Sequence, residues 1–178
     1  MSIASLRAAL AAGESLPSDL ERLVTYATQA GAGFAGDFEL IDDGPAELVR
    51  WFAGRAEPAK RFFAFGHDGT GALFALWRAG AKLDACPVVF LGNEGETIVL
   101  ASNLREFLGL LAYGVDDLGF VDWEEEPPAP SKEPASVAFR DWLKRTLGVE
   151  PAVEPAAAVL AAREAHADLE SWVMKAIG

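Results

Sequence analysis

The residues best suited to catalysis in this sequence are His67 and Asp68, which are neighbours in the segment GHDGTG (66–71). A histidine beside a carboxylate can act as a general base. Neighbouring side chains rarely face each other, however, and no serine or cysteine nucleophile accompanies the pair. The same segment suits a tight turn, in which Asp68 hydrogen-bonds to the backbone and Gly69 adopts a positive φ. We therefore interpret both as turn residues and expect no catalytic role for them.

A second candidate is the carboxylate pair Glu94 and Glu96, which flanks Gly95 in the segment NEGE. Paired carboxylates can divide acid and base roles in catalysis. The same order of residues is equally typical of an exposed hairpin turn, and this is the interpretation we favour. Exposed carboxylates in a turn can also contact a binding partner.

Neither a metal ion nor a cofactor is predicted. The two histidines, His67 and His166, do not have the spacing of a zinc site. The adjacent Asp116 and Asp117 do not belong to a calcium loop of the EF-hand type. The segment GHDGTG lacks the Gly-Lys-Ser/Thr of a phosphate-binding loop, and a strand is predicted after it in place of the helix of a dinucleotide-binding turn. The single cysteine, Cys86, has no neighbour that would activate a thiolate and is interpreted as a packing residue.

The charge of the chain narrows the classes of partner. Its 178 residues include 27 acidic and 15 basic side chains, which gives a net charge of −12. Such a chain repels nucleic-acid phosphates and anionic membrane surfaces, so we expect neither as a partner, whereas a basic protein would be attracted. No run approaches the ~20 apolar residues of a membrane span. The segment MSIASLRAALAAGESL lacks the core of a signal peptide, and with one cysteine the chain is expected to be cytoplasmic.

The first third of the chain is predicted to be mainly helical. Apolar residues at helical spacing predict helices over residues 2–12 and 17–31, and a third that begins after Pro45 and ends near Gly54. The segment GAGFAG (31–36) is interpreted as a flexible turn. Residues 38–41 alternate between apolar and polar and predict a strand.

Four apolar runs in the middle of the chain predict four strands, over residues 61–65, 72–77, 87–91 and 97–101. The turns between them are predicted from Gly66, Gly69 and Gly71 in one connection and Gly95 in another. Residues 79–82 are predicted to form a loop. Because the connections are short, the strands are expected to pair in an antiparallel manner.

A helix is predicted directly after the fourth strand. Ser102 or Asn103 is expected to cap it, with Glu106 placed as in a capping box. With helices before and after the strands, we expect an α+β fold, in which a mainly antiparallel or mixed sheet of five or six strands has helices on one face.

The character of the chain changes after Trp123. Residues 124–135 are acidic and then proline-rich, and predict an exposed linker between an α+β domain (1–123) and a helical extension (136–178). The extension is predicted to contain two helices, over residues 136–148 and 155–177. Their apolar faces must be buried on the sheet or on a partner, and we favour the sheet.

The blocks FFAFGHDGTGALFALW and PVVFLGNEGETIVLASNLREFLGLLAYGVDDL resemble the SMI1/KNR4 (SUKH) superfamily. The shared features are the glycine-rich turn at residues 66–71, Trp77 at the end of the second strand, the strand at residues 87–92, the turn at Gly95, and the helix that runs into Tyr113-Gly114. The resemblance extends over residues 38–120. It depends on the order and spacing of the blocks more than on any single block.

The resemblance implies an α+β fold without enzymatic activity that binds other proteins through a concave sheet face and its loops. Bacterial members of the superfamily serve as immunity proteins against polymorphic toxins, and fungal members act in cell-wall regulation and signalling scaffolds. The positions implied to contact a partner are His67, Asp68, Thr70, Trp77, Asn93, Glu94 and Glu96. The acidic-proline segment and the helical extension depart from the family pattern, and the extra helices could cover the usual binding face.

These observations lead us to expect a protein-binding module, in particular an immunity protein that neutralises a basic toxin domain. A regulatory or scaffold protein that docks or dimerises through the C-terminal helices is the alternative. A small hydrolase or ligand-binding domain using His67 with Asp68 or Glu94 is a third hypothesis. The sequence leaves open whether the protein is a monomer or a homodimer, and whether a small ligand binds near residues 66–71.

Overall fold

A five-stranded antiparallel sheet forms the centre of the fold in the computed structural model, which describes residues 2–78 and 82–178. The order of strands in the sheet is β2-β3-β4-β5-β6, and each strand is antiparallel to its neighbours. The strands are β1 (Phe34–Asp37), β2 (Glu39–Leu40), β3 (Phe62–His67), β4 (Leu73–Trp77), β5 (Val88–Leu91) and β6 (Thr97–Ala101). The predicted α+β class and antiparallel sheet are confirmed. Most of the loop predicted at residues 79–82 lies outside the described residues.

The helices lie at both ends of the chain and between the early strands. They are α1 (Ile3–Ala8), α2 (Ser18–Ala30), α3 (Gly44–Trp51), α4 (Ala56–Ala59), α5 (Leu104–Leu111), α6 (Pro134–Leu147), α7 (Pro155–Ala165) and α8 (Leu169–Ile177). Asn103 caps α5, since its side-chain oxygen accepts a hydrogen bond from the backbone N–H of Glu106 at 3.0 Å. The Glu106 carboxylate in turn accepts from the N–H of Ser102 at 3.0 Å, one residue before the cap, so the reciprocal bond of the predicted capping box is displaced by one position.

Two predicted elements are wrong in detail. The segment predicted as a flexible turn at residues 31–36 ends in strand β1, which begins at Phe34. The last helix, predicted to be continuous over residues 155–177, is broken after Ala165, where His166 has the non-helical dihedral angles φ −129° and ψ 35°. The break lies between Ala162 of α7 and Leu169 of α8, both of which are buried.

Helices cover both faces of the sheet, whereas the sequence predicted helices on one face. Side chains alternate along a strand, so Phe63 and Phe65 point to one face, and Phe62 and Ala64 point to the other. The first face packs against α1, α2, α5 and α6, and the second against α3, α4 and α8, while α7 contributes Val159 to the first side and Ala162 to the second. The strands are apolar at nearly every position, which is typical of a sheet that is buried on both faces.

The C-terminal helices pack on the sheet of the same chain, as we favoured. Leu169 and Val173 of α8 are buried against the second face. Arg55 donates a hydrogen bond to the carbonyl of Ala176 at 2.8 Å, and the guanidinium of Arg61 lies 5.8 Å from the centre of the Trp172 ring. Helices α7 and α8 also contact β6, the last strand of the sheet, so they cover an edge that would otherwise be open to pairing.

Candidate functional site

Most of the predicted partner contacts lie at one end of the sheet, where the β3–β4 loop (residues 68–72) and the β5–β6 loop (residues 92–96) meet. We call this region, together with Asp37, Glu39 and residues 115–120, the loop end. Hydrogen bonds join its parts: the N–H of Gly69 donates to Asp37 Oδ2 at 3.2 Å, and the N–H of Asp117 donates to Asp37 Oδ1 at 3.2 Å. The amide of Asn93 donates to the carbonyl of Thr70 at 2.6 Å. The loops are therefore held in one arrangement by contacts between them.

The β3–β4 loop is organised by the buried carboxylate of Asp68, which is 1% exposed. Its Oδ1 accepts hydrogen bonds from the N–H and the hydroxyl of Thr70, at 2.9 and 2.7 Å, and from the N–H of Ala72 at 3.0 Å. Asp68 thus has the turn role predicted for it. The positive φ expected at Gly69 occurs at Gly71 instead, with φ of 89°, because the chain reverses just before Ala72 returns to the sheet.

His67 does not form a catalytic dyad with Asp68. Its Nδ1 lies 2.9 Å from the Asp68 carbonyl oxygen, so Nδ1 carries the proton, and its Nε2 lies 4.0 Å from the carboxylate of Glu39. Oδ1 of Asp68 is occupied by Thr70 and Ala72. The half-buried imidazole therefore faces Glu39 across the β2–β3 pair, where Glu39 and His67 are in register.

The β5–β6 loop is the tight turn that the sequence predicted. Gly95 has φ of 96°, and the N–H of Gly92 donates to the carbonyl of Glu96 at 2.9 Å. The carboxylate of Glu96 accepts from the N–H of Glu94 at 3.1 Å, so Glu96 stabilises the turn, while Glu94 itself is exposed. The indole N–H of Trp51 fixes the loop from the side of α3, by donating to the Gly92 carbonyl at 2.8 Å.

Trp77 is the one predicted partner contact that lies elsewhere. It pairs with Phe62 at the opposite end of the sheet and is 3% exposed. Its ring lies 6.2 Å from that of His166 and 6.3 Å from that of Trp172, both contributed by the C-terminal helices. In this structure Trp77 is a core residue beneath those helices and offers no surface to a partner.

Gly66 is required by close packing. A Cβ at this position would lie 2.4 Å from a ring carbon of Phe38, and the β3–β4 register shifts between Ala64 and Gly66. Gly66 therefore lets the ring of Phe38 pack against the backbone where β3 passes into the loop.

The loop end carries negative charge that is not balanced by nearby basic residues in the sequence. The segments of the sequence that contain the loop end, residues 23–49, 62–77, 83–104 and 106–131, have no lysine or arginine. The exposed carboxylates are those of Glu39, Glu94, Asp116 and Asp117. Reasoning from the sequence missed Glu39, and weighed Asp116 and Asp117 only as a cation site.

Phe120 adds an exposed aromatic ring beside these acids. It is 52% exposed and follows Asp117 in a short 3₁₀ turn, where its N–H donates to the Asp117 carbonyl at 2.8 Å. Its ring meets that of Phe90 edge to face at a centroid distance of 5.0 Å. The signal in the sequence was an aromatic residue within the acidic run VDDLGFVDWEEE, but exposure could not be read from it.

Burial raises the pKa of the Asp37 carboxyl above its usual 3.8, and the charges of Asp68 and Asp117 raise it further, while the hydrogen bonds from Gly69 and Asp117 oppose the increase. A raised carboxyl pKa means that the folded protein binds this proton more tightly than the unfolded chain does. The contribution of Asp37 to stability is therefore greatest below pH 3.8 and is lost as the pH rises through the raised pKa of the folded state.

We expect Asp37→Asn to change the dependence of stability on pH in that window. The free energy of unfolding of the wild type relative to the variant should fall as the pH rises above 3.8, because only the wild type must ionise a half-buried carboxyl. Urea unfolding at a series of pH values measures this difference. Glu94→Gln, which removes an exposed charge from the same end, is the control. If the stability of the wild type relative to Asp37→Asn rose with pH, the pKa of Asp37 would be lowered in the folded protein and not raised.

The described residues contain no group of three or more histidine, cysteine, aspartate or glutamate side chains that could hold a metal ion. Over the same residues, no helix has the length and apolar character needed to cross a membrane. Comparisons with protein-family models, curated proteins and solved structures find no match.

Proposed function

We propose that this protein is a non-enzymatic binding module that holds a basic protein surface against its acidic loop end. The resemblance to the SMI1/KNR4 superfamily makes an immunity protein that neutralises a basic toxin domain the specific form of this proposal. The observation that carries it is the cluster of exposed carboxylates at the loop end, supplied by segments that contain no lysine or arginine.

The arrangement of the loops suits such a role. Asp37 receives hydrogen bonds from both neighbouring loops, and Asn93 joins the two hairpin loops to each other. Loops held in one arrangement lose little conformational entropy when a partner binds. Complementary charge increases the rate of association and selects basic partners over acidic ones.

Phe120 supplies the apolar contact that charges alone would lack. Aromatic residues are frequent among the few positions that carry most of the binding energy in an interface, and polar groups commonly surround them. The exposed ring of Phe120 close to Asp116 and Asp117 fits this pattern.

The loop end is favoured over two other surfaces. Both faces of the sheet are covered by helices of the same chain, which leaves the loops for a partner. The scaffold alternative relied on the apolar faces of the C-terminal helices, but Val159, Leu169 and Val173 are buried within this chain. A hydrolase using His67 is disfavoured because its ring faces Glu39 and the Asp68 carboxylate serves the turn.

The test is capture of a partner from a lysate of the source organism by two matched variants. The first neutralises the loop end through Glu39→Gln, Glu94→Gln, Asp116→Asn and Asp117→Asn. Asparagine tolerates the left-handed backbone at position 117, where φ is 52°. The control neutralises four exposed acids on the C-terminal helices and the preceding loop, through Asp141→Asn, Glu154→Gln, Glu164→Gln and Glu170→Gln.

We expect one basic protein to bind the wild type and the control equally, and the loop-end variant at least about tenfold more weakly. The captured amount should also fall with added salt, since exposed charges are screened. Equal capture by both variants would place the interface elsewhere. Phe120→Ala should weaken binding separately, while leaving the salt dependence as in the wild type.

A further inference from the structure

A cavity of about 380 Å³ lies beside β3, on the side of the molecule where the sheet is incomplete. Its floor is formed by Phe62, Phe63 and Ala64 of β3, and its walls by α3, α4 and the segment that follows α1. Almost all of the lining side chains are apolar. The volume is at the lower end of the range of about 300–1,000 Å³ that is typical of small-molecule sites.

The cavity exists because β2 is short. Glu39 and Leu40 pair with His67 and Gly66, and the N–H of Ile41 donates one further hydrogen bond to the Phe65 carbonyl. Among the described residues, no strand lies beside the earlier part of β3 on that side. Phe62 and Phe63 point to opposite faces of the sheet, and both line the cavity, which therefore spans the thickness of the sheet at its edge. Alanines at positions 9, 11, 56, 59 and 64 leave the space unfilled.

A peptide strand does not fit beside β3. The carbonyl of Ala64 is covered by Gly44, where even an added Cβ would lie 2.6 Å from the carbonyl oxygen. The carbonyl of Phe62 accepts a hydrogen bond from the guanidinium of Arg78. Since strand addition requires free backbone groups along an edge, the cavity suits a small molecule better than an extended chain.

Among the described residues, two basic side chains line the cavity, Lys60 and Arg78, and Lys60 is the one that can readily change partner. Arg78 uses all of its donors, binding the carboxylate of Glu14 at 2.7 and 2.9 Å and the carbonyls of Ala9, Lys60 and Phe62. This contact closes the cavity by holding the segment after α1 in place.

Lys60 is different, because it pairs with Glu57 on the surface, where the two side chains are 67% and 84% exposed. Exposed pairs of this kind contribute little free energy, so Lys60 can turn to a carboxylate at the mouth of the cavity.

We propose that this cavity binds a small amphiphile whose apolar chain lies against the part-exposed Leu10 and Val49 and whose carboxylate pairs with Lys60. This site is separate from the loop end and goes beyond the binding function proposed above. Hydrophobic burial of the chain would supply most of the affinity, and Lys60 would select the anionic head group.

The test is isothermal titration of the full chain with decanoate, and with decyltrimethylammonium as the ligand of opposite charge. We expect saturable binding of decanoate at one site and at least about tenfold weaker binding of the cation. Absence of saturable decanoate binding, or equal binding of the two ligands, would overturn the proposal.

Two variants with matched controls locate the site. Ala56→Trp fills the cavity from an exposed position of α4 and should weaken decanoate binding at least about tenfold. Ala161→Trp, at an exposed position of α7, should leave decanoate binding unchanged. Lys60→Gln should weaken decanoate binding about threefold, and Lys175→Gln on α8 should leave it unchanged. Unchanged binding by Ala56→Trp would place the ligand elsewhere and overturn the assignment.

Discussion

Replacing Val173 with aspartate should remove most of the stability of this protein. Val173 is 2% exposed and lies between α8 and the second face of the sheet, beside other apolar side chains. A carboxylate at that position would be buried without a partner, or α8 would have to leave the sheet and expose the apolar residues beneath it. Either result should cost more than about 3 kcal/mol, out of a total stability of about 5–15 kcal/mol for proteins in general.

The neighbouring Met174 provides the matched control, because it is 69% exposed on the same helix. Met174→Asp should lower the free energy of unfolding by no more than about 1 kcal/mol, because its carboxylate would lie exposed in the last turn of α8. Urea unfolding followed by tryptophan fluorescence measures the stability of both variants, because Trp172 belongs to α8 and Trp77 lies beneath it. Equal stability of the two variants would show that α8 does not pack on the sheet in solution.

Phe107→Ala should produce the second large loss of stability, of about 3–5 kcal/mol. Phe107 is fully buried on α5, and its ring centroid lies 5.5 Å from that of Phe74, 5.6 Å from that of Phe65 and 6.1 Å from that of Phe38. Truncation would leave a cavity between α5 and the first face of the sheet, where close packing prevents neighbours from filling it.

The same substitution at the exposed Phe120 is the control for this prediction. Phe120→Ala should cost less than about 1 kcal/mol, although it removes the edge-to-face contact with Phe90. Thermal and urea unfolding of the two variants test the contrast. A small effect at Phe107 would mean that α5 is not packed on the sheet as described. The two variants therefore distinguish Phe107, which stabilises the fold, from Phe120, which we assign to partner binding.

The sheet was largely predictable because its signals are local. The apolar runs that became β3, β4, β5 and β6 are separated by short glycine-containing turns, and such strands can only pair with their neighbours in an antiparallel manner. The cap of α5 was equally predictable, because Asn103 and Glu106 satisfy backbone groups within one turn of helix.

The positions of the site residues were predictable only in part. His67, Asp68, Thr70, Asn93, Glu94 and Glu96 come together because neighbouring antiparallel hairpins place alternate loops at the same end. The contacts of Asp37 with Gly69 and Asp117 join residues 32 and 80 positions apart, and nothing local in the sequence indicates them. The sequence around Trp77 is compatible with either an exposed residue at the rim of a site or a core residue. In the structure the C-terminal helices bury it, so it is a core residue.

By itself, the amino-acid sequence determined the class of fold, the antiparallel pairing of the central strands and the acidic character of the protein. These properties depend on hydrophobic spacing, turn residues and total charge, which act locally or sum over the whole chain. Only the tertiary structure decided that helices cover both faces of the sheet, that the last helix breaks at His166, and that a cavity remains beside β3. The physical reason is that burial of an apolar face is non-directional: the sequence shows that a face must be buried, but only packing shows against what.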